Sequence, residues 1–210
     1  MSYAVKECFL TLQGEGAQSG SRAVFLRFAG CNLWSGREQD RSGAECTFCD
    51  TDFVGTDGEG GGKFASPDEL AEHVERLWGE GSQRRLVVVT GGEPMLQLDS
   101  VLIDALHARG FRVAAETNGT LKAADGLDWV CVSPKAGTNI VQRSGDELKL
   151  VWPQEGIDPA ELELWSFDHF LVQPMDCEKR QAAIEAAVRL AMDRPKWRLT
   201  LQAHKLLGLP

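Results

Sequence analysis

Five short apolar runs, each followed at its C-terminal end by an unusual polar string, constrain this chain more than any other feature. Arg85-Leu86-Val87-Val88-Val89 leads into Thr90-Gly91-Gly92-Glu93-Pro94, and Phe111-Arg112-Val113-Ala114-Ala115 into Glu116-Thr117-Asn118-Gly119-Thr120. Asp128 to Val132 leads into Ser133-Pro134-Lys135, His169 to Val172 into Gln173-Pro174-Met175-Asp176, and Ala23 to Phe28 into Gly30-Cys31. Runs of this length, rich in β-branched residues and bounded by turn formers, read as buried strands. Leu148 to Trp152 is a further strand, and Trp197 to Leu201 a last one that alternates apolar and polar residues.

Amphipathic stretches separate the runs. Ser66-Pro67-Asp68-Glu69 carries an N-cap, a proline at the first helical position and acids in the first turn, and Leu70, Val74 and Leu77 continue it as a stripe. A second helix is predicted from Leu98 to Arg109, with Leu98, Val101, Leu102, Ala105 and Leu106 inward and Gly110 ending it. A late helix is predicted from Cys177 to Met192, with Ile184, Ala187, Val188 and Ala191 inward, until Pro195 stops it. Strand, polar string and helix in repetition give an α/β fold with a parallel sheet. A closed eight-stranded barrel takes ~250 residues. A chain of 210 residues with long loops therefore points to a partial, modified TIM-type β/α barrel in one domain, 1–210. Gly55 to Gly62 reads as a flexible loop.

Each polar string alone is an ordinary strand-to-helix turn. Together they lie on one rim, the C-terminal ends of the strands, where sheets of this kind build their sites. Glu93, Glu116 and Lys135 would otherwise be poorly compensated charges beside a core.

The same rim receives three cysteines. Cys46-Thr47-Phe48-Cys49 places two sulfurs on one turn, and Cys31 precedes them by fourteen residues of mostly polar insert, which must loop out. By spacing alone, Cys-x-x-Cys is half of a zinc site, a redox pair or a set of cluster ligands, and zinc leads. A structural zinc site needs a fourth ligand, and the next candidates, His73 and Cys8, stand at no zinc-ribbon spacing. Three thiolates without a fourth suit an iron–sulfur cluster with one iron open. Cys8, Cys131 and Cys177 read as small buried residues. His73 and His107 are expected on helix surfaces, and His169 at a strand start.

A net charge of −9, with no basic run interleaved with aromatics, argues against nucleic acid as a partner. No apolar stretch is long enough to span a bilayer, and the first residues lack the apolar core of a signal peptide, so a cytoplasmic protein is expected. Six cysteines without a disulfide-like pattern fit a reducing compartment.

Three cysteines after the first barrel strand and Gly91-Gly92-Glu93-Pro94 after the next resemble the radical S-adenosylmethionine (SAM) superfamily, with fourteen residues where its usual motif has three. Leu12-Gln13-Gly14-Glu15-Gly16, Arg27-Phe28-Ala29-Gly30-Cys31-Asn32-Leu33 and Cys49-Asp50-Thr51 narrow the resemblance to the 7-carboxy-7-deazaguanine synthase family, across essentially the whole chain. The domain 1–210 is then a single radical SAM domain with a cluster-binding loop and insert at 32–62.

The resemblance implies a four-iron four-sulfur cluster held by Cys31, Cys46 and Cys49, with SAM on the open iron. It implies SAM contacts from Phe48, Cys49, Asp50, Gly92, Glu93, Ser133, Pro134, Lys135, Gln173, Pro174, Met175 and Asp176. Phe48 would pack on adenine, Lys135 would meet the SAM carboxylate, and Gly92 and Glu93 would serve its amino group. Magnesium is implied at Thr51, beside Asp50. The implied reaction is a carbon–nitrogen lyase reaction: 6-carboxy-5,6,7,8-tetrahydropterin contracts to 7-carboxy-7-deazaguanine with loss of ammonia, toward queuosine and related deazapurines.

Leu12, Gln13, Gly14, Glu15, Arg27, Thr90, Glu116, Asn118, His204 and Pro210 are the implied substrate residues, Arg27 being suited to fork onto a carboxylate. The terminus, Leu206-Leu207-Gly208-Leu209-Pro210, is apolar and is expected to be docked, with the Pro210 carboxylate facing the pterin. Implied partners are an electron donor such as flavodoxin and a second copy of the chain, with exposed tryptophans such as Trp78 in the dimer interface. The competing readings are another radical SAM enzyme, such as a glycyl-radical activase, and a zinc-stabilised binding module without chemistry. The second leaves Gly91 to Pro94 and Glu116 to Thr120 unexplained.

Overall fold

The computed structural model describes residues 2–210. One nine-stranded sheet runs in the order β3-β1-β2-β4-β5-β6-β7-β8-β9. Its strands are β1 (Tyr3–Leu12), β2 (Arg22–Phe28), β3 (Gly62–Phe64), β4 (Leu86–Gly91), β5 (Arg112–Thr117), β6 (Trp129–Val132), β7 (Ser144–Trp152), β8 (Ser166–Pro174) and β9 (Trp197–Leu199). From β2 to β9 every pairing is parallel, while β1 pairs antiparallel with both β2 and β3. The sheet ends at β3 and β9 without closing, as a partial barrel does.

Helices α1 (Pro67–Trp78), α2 (Ser100–Ala108) and α4 (Arg180–Asp193) are the principal ones, with short α3 (Pro159–Leu162) and α5 (Ala203–Leu207). α1 starts as its residues require: the Ser66 hydroxyl accepts from the Glu69 amide and Pro67 occupies the first turn. Asp99 caps α2 by accepting from the Leu102 amide, so that helix begins at Ser100 and Leu98 precedes it.

Strand alternation sorts the side chains. Val24, Leu26 and Phe28 of β2, Val87 and Val89 of β4, and Val113 and Ala115 of β5 are buried with α1 and α2 in one outer core. Leu148, Leu150, Phe170 and Val172 pack with Ala187, Leu190 and Trp197 in a second outer core. Each fully buried aliphatic side chain in these layers is worth about 1.5–3 kcal/mol. Ala23, Leu86, Val88 and Ala114 form a third cluster with Phe25 and Trp129, and their intervening places in the strands put them on the opposite, inner face. One step or two further along the same strands, that inner face carries Arg27, Thr90 and Glu116. The barrel interior is thus apolar below and polar at the C-terminal rim.

Several expectations need correction. Gly55 to Gly62 is a pinned edge and not a free loop: the Gly58 amide donates to the Lys6 carbonyl at 2.9 Å, the Cys8 amide to Glu59 at 2.7 Å, and Gly62 opens β3. Trp78 is 3% exposed, edge-on to Phe111 and under the Arg22 guanidinium, and so offers no interface surface. Val101 and Val188 face outward, because Ile103 and, in α4, Ala183 and Leu190 take the inward positions. α4 starts at Arg180, leaving Cys177 exposed in the preceding turn. The last strand stops at Leu199. Leu206 and Leu207 are each 65% exposed, so the terminal segment is held by other contacts than its leucines.

Candidate active site

The rim encloses a cavity of about 380 Å³. Into it the structure brings Cys31, Cys46, Cys49 and Thr51, all ten predicted substrate residues, and Phe48, Asp50, Gly92, Ser133, Lys135, Gln173, Pro174, Met175 and Asp176. Glu93 and Pro134 stand behind the wall. Glu93 is fully buried, accepting from the Thr117 hydroxyl at 2.7 Å, the Asn118 amide at 2.8 Å and the Met95 amide at 3.0 Å. Burial pushes its carboxyl above the usual range against the pull of these donors. It ties the end of β4 to the end of β5.

The three cysteines are free thiols. Cys31 follows β2, and its sulfur accepts from the Leu33 amide at 3.4 Å. The neighbouring Cys46 thiol lowers the Cys49 thiol to about 6 against the effect of burial. The intervening insert is folded: Glu38–Gly43 forms a short 3-10 helix, and the Glu45 amide donates to the Leu33 carbonyl at 3.1 Å, closing its neck. Arg41 fastens it, donating to the Thr47 and Cys49 carbonyls at 3.0 Å each, with its guanidinium 4.1 Å from the Trp34 ring centroid.

Among the described residues no three His, Cys, Asp or Glu side chains converge to hold a single metal ion. Cys31, Cys46 and Cys49 line one cavity, and three soft thiolates suit an iron–sulfur cluster with one iron open. The wall beside them is cut back to backbone: a Cβ on Gly92 would stand 2.6 Å from the Cys31 Cβ and would also strike the Gly30 carbonyl. The Gln173 Oε1, buried in the same wall, has no hydrogen-bond partner and offers an acceptor to a bound molecule. Lys135 donates to the Ser133 carbonyl and hydroxyl at 2.7 Å each and lies 5.8 Å from the Phe48 ring centroid. Burial lowers its amine, and the neighbouring thiols of Cys46 and Cys49 draw it back up. A cation there suits a ligand carboxylate next to the cysteines.

Arg27, also on the cavity wall, gives its Nε to Glu7 at 2.7 Å, leaving its terminal nitrogens for another anion. The C-terminal segment crosses the mouth. The Ala203 amide donates to the Gly14 carbonyl at 2.8 Å, and a Cβ on Gly14 would lie 2.7 Å from the His204 Cβ, so only glycine lets α5 approach. Lys205 bridges Asp50 and Asp176 at 2.6 Å each, and Thr11 donates to the Pro210 carbonyl oxygen at 3.5 Å. Burial pushes the Asp50 carboxyl up, but Lys205 and Gln202 outweigh it and hold the group below the usual range.

Sequence reasoning overlooked Lys149, Gln202 and Lys205, all of which line the cavity. For Lys149 a signal existed: Glu147 and Lys149 alternate with buried Leu148 and Leu150 in a central strand, which turns the polar pair inward. Gln202 and Lys205 lie in a segment whose place is set by long-range packing.

The radical SAM superfamily profile matches residues 42–147, which includes Cys46 and Cys49 and begins beyond Cys31. A 7-carboxy-7-deazaguanine synthase of Caulobacter vibrioides is 61% identical over the full length of both chains, and one of Bordetella pertussis is 59% identical, again over both full lengths. The chain belongs to the 7-carboxy-7-deazaguanine synthase family. The crystal structure of QueE from Escherichia coli superposes with a TM-score of 0.72 at 28% identity, covering 97% of this chain and 95% of that one. As a radical SAM member of the 7-carboxy-7-deazaguanine synthases, the chain has an iron–sulfur cluster and SAM as its family cofactors.

Proposed function

We propose that this protein converts 6-carboxy-5,6,7,8-tetrahydropterin to 7-carboxy-7-deazaguanine with loss of ammonia, as a radical SAM lyase in which SAM is regenerated. The observation that carries this reading is that one cavity is lined both by the three cysteines and by Arg27, Glu116, His204 and Pro210. When bound, the cluster and SAM supply the one-electron chemistry that removes a hydrogen atom from C6 and later returns it.

The chain's own residues bind and orient. Cys31, Cys46 and Cys49 hold the cluster, and Lys135 takes the SAM carboxylate with Ser133 beside it. The Gly92 backbone, Gln173 and the segment to Asp176 line the rest of the SAM volume, with Phe48 against the adenine. Arg27 forks onto the pterin carboxylate, a geometry in which two parallel charge-assisted bonds fix direction as well as affinity. Gln13, Glu15, Glu116, Asn118, Thr90 and His204 surround the ring with donors and acceptors. Leu12 and Gly14 shape the wall that receives the terminal segment, which excludes water from the mouth. Magnesium belongs to the same reading: Thr51 offers a hydroxyl oxygen beside Asp50, and one or two protein oxygens plus substrate oxygens meet that ion's needs.

An electron donor such as flavodoxin, a homodimeric assembly and a cytoplasmic location complete the proposal. Among the described residues no helix is long and apolar enough to cross a membrane. The test is anaerobic reconstitution with iron and sulfide, followed by SAM, the pterin, dithionite and magnesium, read by mass spectrometry. Carboxydeazaguanine is expected, and Cys31→Ala abolishes it. SAM cleavage with an unaltered pterin would remove the substrate assignment and leave the superfamily chemistry.

A further inference from the structure

A lysine placed on the inner face of a central strand needs a reason, because burying its charge is costly unless it is paired, and an apolar side chain of similar size often serves stability as well. Lys149 of β7 is 4% exposed and lines the cavity. Its Nζ donates to Glu15 Oε2 at 2.6 Å and to Glu116 Oε2 at 3.0 Å.

The two carboxylates are held in matching ways. Glu116 Oε1 accepts from the Gln13 amide at 2.9 Å, and Glu15 Oε1 from the Gln202 amide at 3.0 Å. Each acid therefore has one oxygen on the shared ammonium and the other on a glutamine, which fixes the plane of both groups. A carboxylate has about four lone-pair sites, so each retains acceptor capacity beside the cavity. Burial alone would lower the Lys149 amine, but Glu116 and Glu15 hold it protonated well above the usual lysine range. Burial likewise raises the Glu15 carboxyl, and Lys149 outweighs it. Glu147, two residues earlier on the strand, is engaged elsewhere, accepting from the Ala17 amide at 3.1 Å and the Cys131 thiol at 3.5 Å.

We infer that Lys149 is a positioning residue for substrate recognition: it clamps Glu15 and Glu116 into a pair of ionised acceptors that reads the ring N–H donors of the reduced pterin. This rests on the pterin reading of the cavity. It assigns Lys149 no contact with the reacting atoms; its action passes through the two acids.

The test is a double-mutant cycle on the reconstituted enzyme, with anaerobic equilibrium binding of 6-carboxytetrahydropterin and steady-state turnover as readouts. Lys149→Met and Glu116→Gln each weaken pterin binding by about tenfold or more, the worth of a hydrogen bond to a charged group. The loss appears in KM more than in kcat, and Lys149→Arg, which keeps the charge, recovers most of it. Because Lys149 acts in part through Glu116 and in part through Glu15, the double variant loses less than the sum of the two single losses. Parent-like binding by folded Lys149→Met, or additive losses in the double variant, overturns the inference. Should Lys149→Met not fold, the double variant, which carries the same net charge here as the parent, is compared with Glu116→Gln: a further loss well under tenfold supports the role, and a further loss of about tenfold or more overturns it. A parent protein that neither binds nor turns over the pterin sinks the proposed function itself, whereas a competent parent with additive variants sinks only the role of Lys149.

Discussion

Glu93 accepts the Thr117 hydroxyl at 2.7 Å with no solvent reaching either side chain's contact, and this bond joins the ends of β4 and β5 beneath the cavity. A motif residue is here a fastening between strands. Glu93→Ala leaves two buried donors and one part-buried donor unmet, each buried one worth ~1–3 kcal/mol, so a loss of about 2 kcal/mol or more in unfolding free energy is expected. Urea denaturation of the cluster-free protein measures it. Unchanged stability with only SAM affinity reduced would instead place Glu93 at the ligand.

Gly92 has the opposite character, being defined by what it lacks. Gly92→Ala drives a methyl group against the Gly30 carbonyl and Cys31. Overpacking of this kind costs about 1–3 kcal/mol, and about a tenfold or larger loss of SAM affinity follows where the strand gives way. Equilibrium binding of SAM to reconstituted protein reads it; parent-like affinity would mean that the backbone approach is not needed.

The depressed Glu15 carboxyl ties stability to pH. Its folded value lies below the ordinary 4.5, so its contribution is fully present above about pH 4.5 and is lost as pH falls through the folded value. Melting temperatures of the parent should fall over that acid window. Glu15→Gln should show a shallower decline there, and identical acid limbs would remove Glu15 from the account.

Trp78 offers a test of what is core. Trp78→Ala empties a fully packed position between Phe111 and Arg22 and should cost about 3–5 kcal/mol. Denaturation measures that loss, and sedimentation of the folded fraction should give the parent's association state. A stable variant with altered association would restore Trp78 to an interface.

What the sequence made legible was local. The run Leu86 to Val89 and the string after it announce a strand and its rim, and Ser66-Pro67 announces α1, because each signal is written within a few residues. β1 was not legible: its register against β2 shifts between Val5 and Glu7, so Val5 and Lys6, then Cys8 and Phe9, are buried in adjacent pairs and leave no clean alternation. Lys149 and Glu15 lie 134 positions apart, so neither predicts the other from its surroundings. Val188 read as inward by spacing, but Ala183, Ala187 and Leu190 set the buried face of α4. The cysteine constellation was found by type and order, whereas its fastening by Arg41 depends on how the insert folds back.

That insert leaves and rejoins the cavity wall at one place, where Glu45 meets Leu33. The distance between the sulfurs of Cys31 and Cys46 is therefore governed by the neck, and the count of residues hung beyond it is a nearly independent variable. Doubling a flexible loop adds only about 0.6 kcal/mol of closure entropy. Between Trp34 and Arg41, the two side chains that fasten the insert, the chain offers a port: a peptide grafted there would be displayed outside the barrel wall while the cysteine geometry stayed under the control of residues on either side.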